Sequence, residues 1–500
     1  MKKIIIVLGV LLLMGNIATA QKVEMGERNE FIRYESSILG MDENNYYVMV
    51  GYNYDPENKQ GSTIYTYNKD LKIVDKTHLD KEMRFLATET FITDSKIAVV
   101  YQSLMFESMT CEVIDKATKK SISKKDYFKD NTDFHEIPTL ITCTSPDDSL
   151  FFAMKTIYDK KKDEIIKSTM ILFDNELNEL WTKEYFVPVA AYTLTNDGEF
   201  VTAGYYQDKD GVQHMRFSIV TGDDEVEYES SMSDFVIGDM EIAAYNNGEI
   251  LIYGLIEEPE TKKFLKKNDR EYYTGFYTFV YDTKTKTMGR VNKYLFTDDD
   301  YKILDNVDAK SKNKSEKTSF LQPLEVLPTA DGGAVVSYNV NYKVSVRDQQ
   351  GFVNTYKTTG SILVWRLAAD GTVVWHNGFR KYMNTGMFEN SWYVPHYLTD
   401  NEEVVFITEN SKKDKPDIGE RVQCVAKRYR KEAQQGPGKL PDVITIVRFD
   451  KNGNVTKEVV HTDKKMLVVG DYKTVDNGKA VMLYVSNKKA PGGLIRVDIK

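Results

Sequence analysis

What most limits the folds open to this chain is one kind of hairpin that keeps returning. It has an alternating apolar strand, a polar turn rich in Asp, Asn, Gly or Lys, and a second strand. It occurs at 62–79, 109–127, 168–186, 214–230, 276–296, 361–379 and 442–460. Trp181 lies eight residues after Phe173 and Trp375 eight after Leu367, so two of these hairpins align without gaps. Upstream of each lies a second hairpin with a tighter turn, as in 194–206 (LTNDGEFVTAGYY), 244–255 (AYNNGEILIYGL), 328–340 (PTADGGAVVSYNV) and 398–409 (LTDNEEVVFITE). Asp-Gly and Asn-Gly between alternating apolar runs are strong hairpin signals, on the expectation that both turn residues take positive φ. Each unit therefore reads strand A, tight turn, strand B, variable loop, strand C, tight turn, strand D.

Seven units are complete. An eighth, at 466–486 and 492–500, stops after its third strand, and Lys22–Tyr34 is an unpaired strand at the other end of the chain. Repeated antiparallel quartets leave faces and edges exposed unless they close radially. The predicted fold is all-β, an eight-bladed β-propeller of four-stranded antiparallel blades whose first and last strands share the last blade. A seven-bladed ring is the nearest alternative, and two β-sandwich domains are a further one. The abundance of aromatic residues, 32 Tyr and 23 Phe, suits pleated, half-buried surfaces.

Residues 328–379 carry a more specific pattern: Ala330-Asp331-Gly332-Gly333, then Ile362-Leu363-Val364-Trp365, then Asp370-Gly371 and Trp375. This resembles the repeats of secreted bacterial β-propellers, in which a Thr-x-Asp-Gly-Gly turn precedes an apolar-Lys-Leu-Asp-x-x-Gly hairpin ending in Trp. Arg366 stands where those repeats usually have Lys. The resemblance covers about one blade well, and it implies fold and export rather than an activity.

The N-terminus agrees. Lys2 and Lys3 precede an apolar run from Ile4 to Met14, and Ala18-Thr19-Ala20 fits a small-residue cleavage site. A signal peptide over 1–20 and a single propeller domain over 21–500 are expected, exported to the periplasm or the extracellular space. The apolar run is too short to span a bilayer comfortably, so the chain is not expected to span the membrane. The formal charge is −9. Without Lys2 and Lys3 it is 64 basic against 75 acidic residues, or −11, which disfavours nucleic acid as a partner. Cys111, Cys143 and Cys424 show no CxxC spacing and read as buried small hydrophobes, though Cys111 and Cys143 stay open as a pair.

In an antiparallel A-B-C-D meander, the A–B and C–D turns share one rim and the B–C and D–A loops the other. Long segments are expected at 257–275, 341–360 and 410–441 (B–C) and at 296–319 (D–A), all on one rim. Insertions concentrated on one side of a repeat array point to a binding surface. Within 411–440, nine cations, among them Lys427, Arg428 and Arg430, stand against four acids, a local +5 on an acidic chain. Those three residues are the expected partner contacts. A neighbouring acidic group comprises Asp298, Asp299, Asp300, Asp305 and Asp308, without the spacing of an EF-hand.

Propeller ligands sit at the axial mouth, near the starts of the A strands. Arg84, His135, Glu136, Gln322, Trp392, Tyr393 and His396 are the candidate ligand-binding residues, with Asp239 and Glu241 nearby. Carboxylates, imidazoles and aromatic rings suit a sugar or a peptide. No GxSxG elbow, P-loop, HExxH or dinucleotide fingerprint occurs, and no metal or cofactor is expected. The expected function is recognition of an unidentified protein or glycan through the elaborated rim. The alternative is a glycan-processing enzyme whose acidic pair would be Glu136 with Glu241 or Asp239.

Overall fold

The computed structural model describes residues 23–499, except 29–35, 55–59, 81–84, 104–107, 129–134, 186–188, 232–235, 246–248, 258–272, 301–320, 348–352, 380–382, 387–395, 411–442, 463–465, 476–478, 488–489 and single positions 163, 211, 283, 286, 290, 291, 325 and 400. The chain forms eight antiparallel sheets, each with the order A-B-C-D. Blade 1 runs from Ser36–Met41 to Ile73–Asp80, blade 2 from Phe85–Ile92 to Ser121–Tyr127, and blade 3 from Glu136–Thr144 to Glu179–Glu184. Blade 4 runs from Ala191–Leu194 to Glu225–Ser231, and blade 5 from Val236–Ala244 to the split outer strand Thr287–Met288 and Asn292–Leu295. Blade 6 runs from Leu321–Pro323 to Val373–Phe379, and blade 7 from His396–Leu398 to Val455–Thr462. Blade 8 takes three strands from the C-terminus, and its outer strand is Val23–Arg28, paired to Ala490–Asp498 with Val23 opposite Val497 and Glu24 opposite Arg496. This is the predicted eight-bladed propeller with shared termini.

The core explains why a ring is the stable solution. Alternation gives each blade two apolar faces, and each face is buried on a neighbour. There are eight clusters of buried side chains, one per blade interface. Blades 5 and 6 share Tyr253, Phe276, Tyr338 and Trp365; blades 3 and 4 stack Phe152 on Phe200 at 3.8 Å. The cluster between blades 8 and 1 has the same makeup, joining Tyr46, Tyr65, Tyr67 and Leu71 to Met482, Tyr484 and Leu494. Each buried aromatic or aliphatic side chain contributes about 1.5–3 kcal/mol relative to an exposed one.

Outer strands add a second joint by packing onto the C–D turn of the next blade. Trp181 lies against Gly222, and Trp375 lies against Gly453 while its Nε1 donates to the Lys451 carbonyl at 3.0 Å. The N-terminal strand does the same to blade 1: the Glu27 amide donates to the Leu71 carbonyl (2.8 Å), and the Ile73 amide donates to the Glu27 carboxylate (3.0 Å).

The turns depart from the expectation in one respect. At Thr195–Glu199, Thr329–Gly333, Thr399–Glu403, Asn68–Lys72, Asp174–Asn178, Ala368–Thr372 and Asp450–Asn454, the fourth residue donates to the carbonyl of the first, and the first donates to the carbonyl of the fifth. Only that fourth residue has positive φ, as at Gly198 (81°), Gly332 (82°) and Gly453 (79°). These are three-residue loops with a bulge glycine rather than two-residue Asp-Gly turns with both residues at positive φ. Leu71 and Leu177 hold the same conformation without glycine (φ 58° and 61°). Both are buried, so apolar burial offsets a left-handed backbone costing about 1–2 kcal/mol.

The segment 341–360, expected as a long loop, is mostly strand. The B and C strands of blade 6 run on as Ala334–Arg347 and Val353–Leu367, pairing from Asn341 opposite Thr359 to Arg347 opposite Val353. Met383–Gly386 adds a third strand alongside Tyr356–Thr359. The sheet thus projects past the body of the blade on the B–C side.

Cys111 and Cys143 do not pair with each other. Cys111 is free and buried between blades 2 and 3, and Cys143 is free beside the cluster of blades 3 and 4. Cys424 lies outside the described residues. No helix among the described residues is long and apolar enough to cross a membrane.

Candidate functional site

The A strands form the inner lining, touching their counterparts on neighbouring blades. Their first residues lie at the B–C rim and their last at the tight-turn rim. At the tight-turn end an ion pair joins two blades that are not neighbours. Lys473, on the inner strand of blade 8, passes 3.8 Å from the position a β-carbon on Gly40 would take and reaches Asp148 in the A–B turn of blade 3, with Nζ–Oδ2 at 3.5 Å. Exposed pairs of this kind add little stability; the contribution here is to shape.

Register shifts along inner strands re-aim side chains. They fall between Ile38 and Gly40, Ala87 and Glu89, Ile237 and Met240, and Val468 and Tyr472. Asp239 sits inside one and is exposed; Glu89 directly follows another and is half-buried. Glu241, also half-buried, lies deeper on its strand, opposite Tyr253. Tyr192, on the inner strand of blade 4, is pushed above the ordinary phenol range by burial and by the fields of Cys143, Glu241 and Glu89. Burial, with a smaller contribution from Glu89, raises the Cys143 thiol. The inner strands of blades 2 to 5 therefore place two carboxylates and a thiol within electrostatic reach of the Tyr192 phenol. Such a wall favours cations and hydroxyl-rich molecules over anions.

The sequence candidates divide three ways. Glu136 opens the inner strand of blade 3, opposite Asp159, and His135 precedes it with its carbonyl accepting from the Lys160 amide; both side chains are half-buried at the mouth. Gln322 is half-buried on the short inner strand of blade 6, opposite Asn339. His396 is a correction: only 4% exposed and stacked on Phe406 at 5.4 Å, it packs within blade 7, and its carbonyl accepts from the Tyr472 hydroxyl. Arg84, Trp392, Tyr393, Lys427, Arg428 and Arg430 lie outside the described residues. Glu89, Tyr192 and Lys473 were missed. The signal available for Glu89 was a charged residue between threonines inside an inner strand (ATETF).

The acidic group near 300 is also corrected. Asp300 is completely buried and hydrogen-bonded rather than part of a solvent-facing cluster, and Asp305 and Asp308 lie outside the described residues. Among the described residues no group of three or more His, Cys, Asp or Glu is arranged to hold a metal.

No protein-family model and no curated protein matches this chain. Solved structures to which it is similar include the Dos1 propeller (9% identity, 95% of each chain covered, TM-score 0.33). Another is an oligogalacturonate lyase in complex with manganese (7% identity, 96% of this chain and 97% of the other, TM-score 0.36). A third is a protein of unknown function from Bacteroides caccae (12% identity, 69% of this chain and 94% of the other, TM-score 0.25). The propeller assignment rests on this chain's own strand pairing.

The motif that carries the resemblance to secreted propeller repeats has a physical role in the structure. Arg366, on the C strand of blade 6, donates two hydrogen bonds of 2.7 Å to Asp331 in the Ala-Asp-Gly-Gly turn. Burial alone would raise the Asp331 carboxyl, but bonds from Arg366, Thr329 and Gly333 outweigh it and hold it at about 2. Both bonds come from Nη2, while Nη1 donates to the Leu367 carbonyl; a lysine at position 366 would supply the charge to Asp331 but no second nitrogen for that carbonyl.

Proposed function

We propose that the protein is exported after removal of residues 1–20 and acts as a recognition module, binding a protein or glycan partner through the B–C rim. The observation that carries this reading is the hairpin of blade 6, whose B and C strands pair on beyond the length of the other blades' strands, on the B–C rim. Ordering a paired extension costs chain entropy, and binding elements are commonly mounted as such projections on rigid scaffolds. Export is checked by sequencing the N-terminus of the secreted protein, which should begin at Gln21. Recognition is checked with a variant lacking 411–440 and a second with 341–360 shortened to a two-residue turn. Partners captured by the parent should be lost by at least one variant at unchanged melting temperature. Capture unaltered in both would contradict the reading.

A second reading, glycan processing, keeps the expected carboxylates Glu136 and Glu241 and adds Glu89, whose field, like that of Glu241, reaches Tyr192. It requires that Glu241→Gln abolish turnover in a screen of oligosaccharides. Absence of any turnover by the parent would remove it while leaving recognition intact.

A further inference from the structure

Asp300 is the only fully buried carboxylate among the described residues. It is the last described residue of a helical turn that begins at Asp298, after the outer strand of blade 5. Its Oδ2 accepts from the Tyr294 hydroxyl (2.7 Å), the Thr297 amide (2.6 Å) and the Thr297 hydroxyl (2.7 Å). Its Oδ1 accepts from Trp365 Nε1 (3.2 Å) and His376 Nδ1 (2.5 Å). An ionised carboxylate can only accept, so Nδ1 carries the proton. Trp365 and His376 are register partners on the C and D strands of blade 6. Five donors from two blades thus converge on one carboxylate and tie the end of blade 5 to blade 6.

The charge balance of this joint is unusual. Tyr294 and Thr297 from blade 5 and Trp365 from blade 6 are neutral donors, and the acidic side chain Asp299 adds its field to His376 from the turn itself. Among the described residues, the imidazole of His376 is the only group hydrogen-bonded to Asp300 that can supply positive charge. It is 28% exposed, and its Nε2 makes no hydrogen bond to any described residue, so solvent protons reach it. A buried carboxylate left without a compensating cation costs several kcal/mol in the limit.

We propose that Asp300 and His376 form a pH-operated latch between blades 5 and 6, closed while the imidazole is protonated and slack once it is neutral. The electrostatics agree in sign. The hydrogen bond to Asp300 raises His376 above its ordinary 6.5 against the opposing effect of burial. Burial would raise Asp300, but the bonds from His376, Tyr294 and Thr297 outweigh it and hold the carboxyl below its ordinary 3.8. The stability from a raised imidazole is complete below pH 6.5 and is lost as pH climbs through the raised value. The stability from a lowered carboxyl is complete above pH 3.8 and is lost only as pH falls through the lowered value. The latch is therefore closed from about pH 4 to 6.5 and opens on the alkaline side.

Hydrogen exchange at the Thr297 amide, which donates to Asp300, reads the latch directly. Corrected for intrinsic chemistry, its protection factor in the full protein should fall about tenfold or more between pH 6 and pH 9, while the Val201 amide in the core of blade 4 stays constant. In His376→Gln, a neutral donor at every pH, Thr297 protection should be low and independent of pH. Protection unchanged from pH 6 to 9 in the parent would overturn the latch. So would a His376→Gln curve that follows the parent, or a parallel loss at Val201 that makes the effect global.

Discussion

The two rims of the ring are built by opposite rules. On the tight-turn rim, seven of the described turns share one three-residue loop with the same bond pattern, although glycine fills the left-handed position in some and a buried leucine or Glu402 in others. That rim also receives the joints between outer strands and neighbouring turns, so its geometry is dictated by the blade interfaces. On the B–C rim the described connections differ in length: blade 4 closes with the compact turn Asp208–Val212, whose Asp208 amide donates to the Val212 carbonyl as in the tight turns, whereas blade 6 runs on into an extended sheet. The difference teaches that the joints between blades gather at one end of the strands, while the described connections at the other end vary in length.

Breaking the tight-turn side should be costly. The largest effect is expected from removing residues 21–34, which strips the outer strand from blade 8 and the Glu27–Leu71 joint from blade 1. Loss of at least about 3 kcal/mol or outright aggregation is expected by thermal unfolding and size-exclusion chromatography. Next is Trp375→Ala, which removes the joint between blades 6 and 7; the ring is only partly buried, so a cost of about 2–3 kcal/mol in a denaturant titration is expected.

Arg366→Lys should cost less, about 0.5–1 kcal/mol at neutral pH, because an ammonium can face Asp331 but leaves the Leu367 carbonyl without its Nη1 donor. Since the Asp331 carboxyl is lowered to about 2, this contribution is complete above pH 4 and is lost as pH falls towards 2. The gap between parent and variant should therefore close in acid. On the other rim, excising 411–440 should change stability by less than about 0.5 kcal/mol, the sharpest contrast with the first variant.

How much of this was legible beforehand follows from what each feature depends on. Blade count, strand order and the shared last blade depend on period-two alternation and on turn residues within a few positions, and those signals are local. The turn geometry was misjudged because Asp-Gly suits both a two-residue turn and a three-residue loop; only the backbone angles of Asp331 and Gly332 separate them. The hairpin of blade 6 was read as a loop since the alternation of Tyr342, Val344 and Val346 is diluted by Lys343, Ser345 and Arg347. Asp300 was grouped with its acidic neighbours because its partners Trp365 and His376 lie far along the chain. His396 looked like a mouth residue from its place at a strand start, and only packing against Phe406 shows it turned into the blade.

The central claim is that Val23–Arg28 completes the sheet begun at Met466. Glu24 and Arg496 are opposite residues in that ladder, with Cα atoms expected about 4.5–5.5 Å apart, inside the range that a disulfide spans. A Glu24→Cys, Arg496→Cys variant should form an intramolecular cross-link under mild oxidation of the folded protein, seen as a mobility shift without reductant, and should unfold at higher temperature than its reduced form. Failure to cross-link while folded, or cross-linking only between molecules, would contradict the shared blade and the closed ring with it.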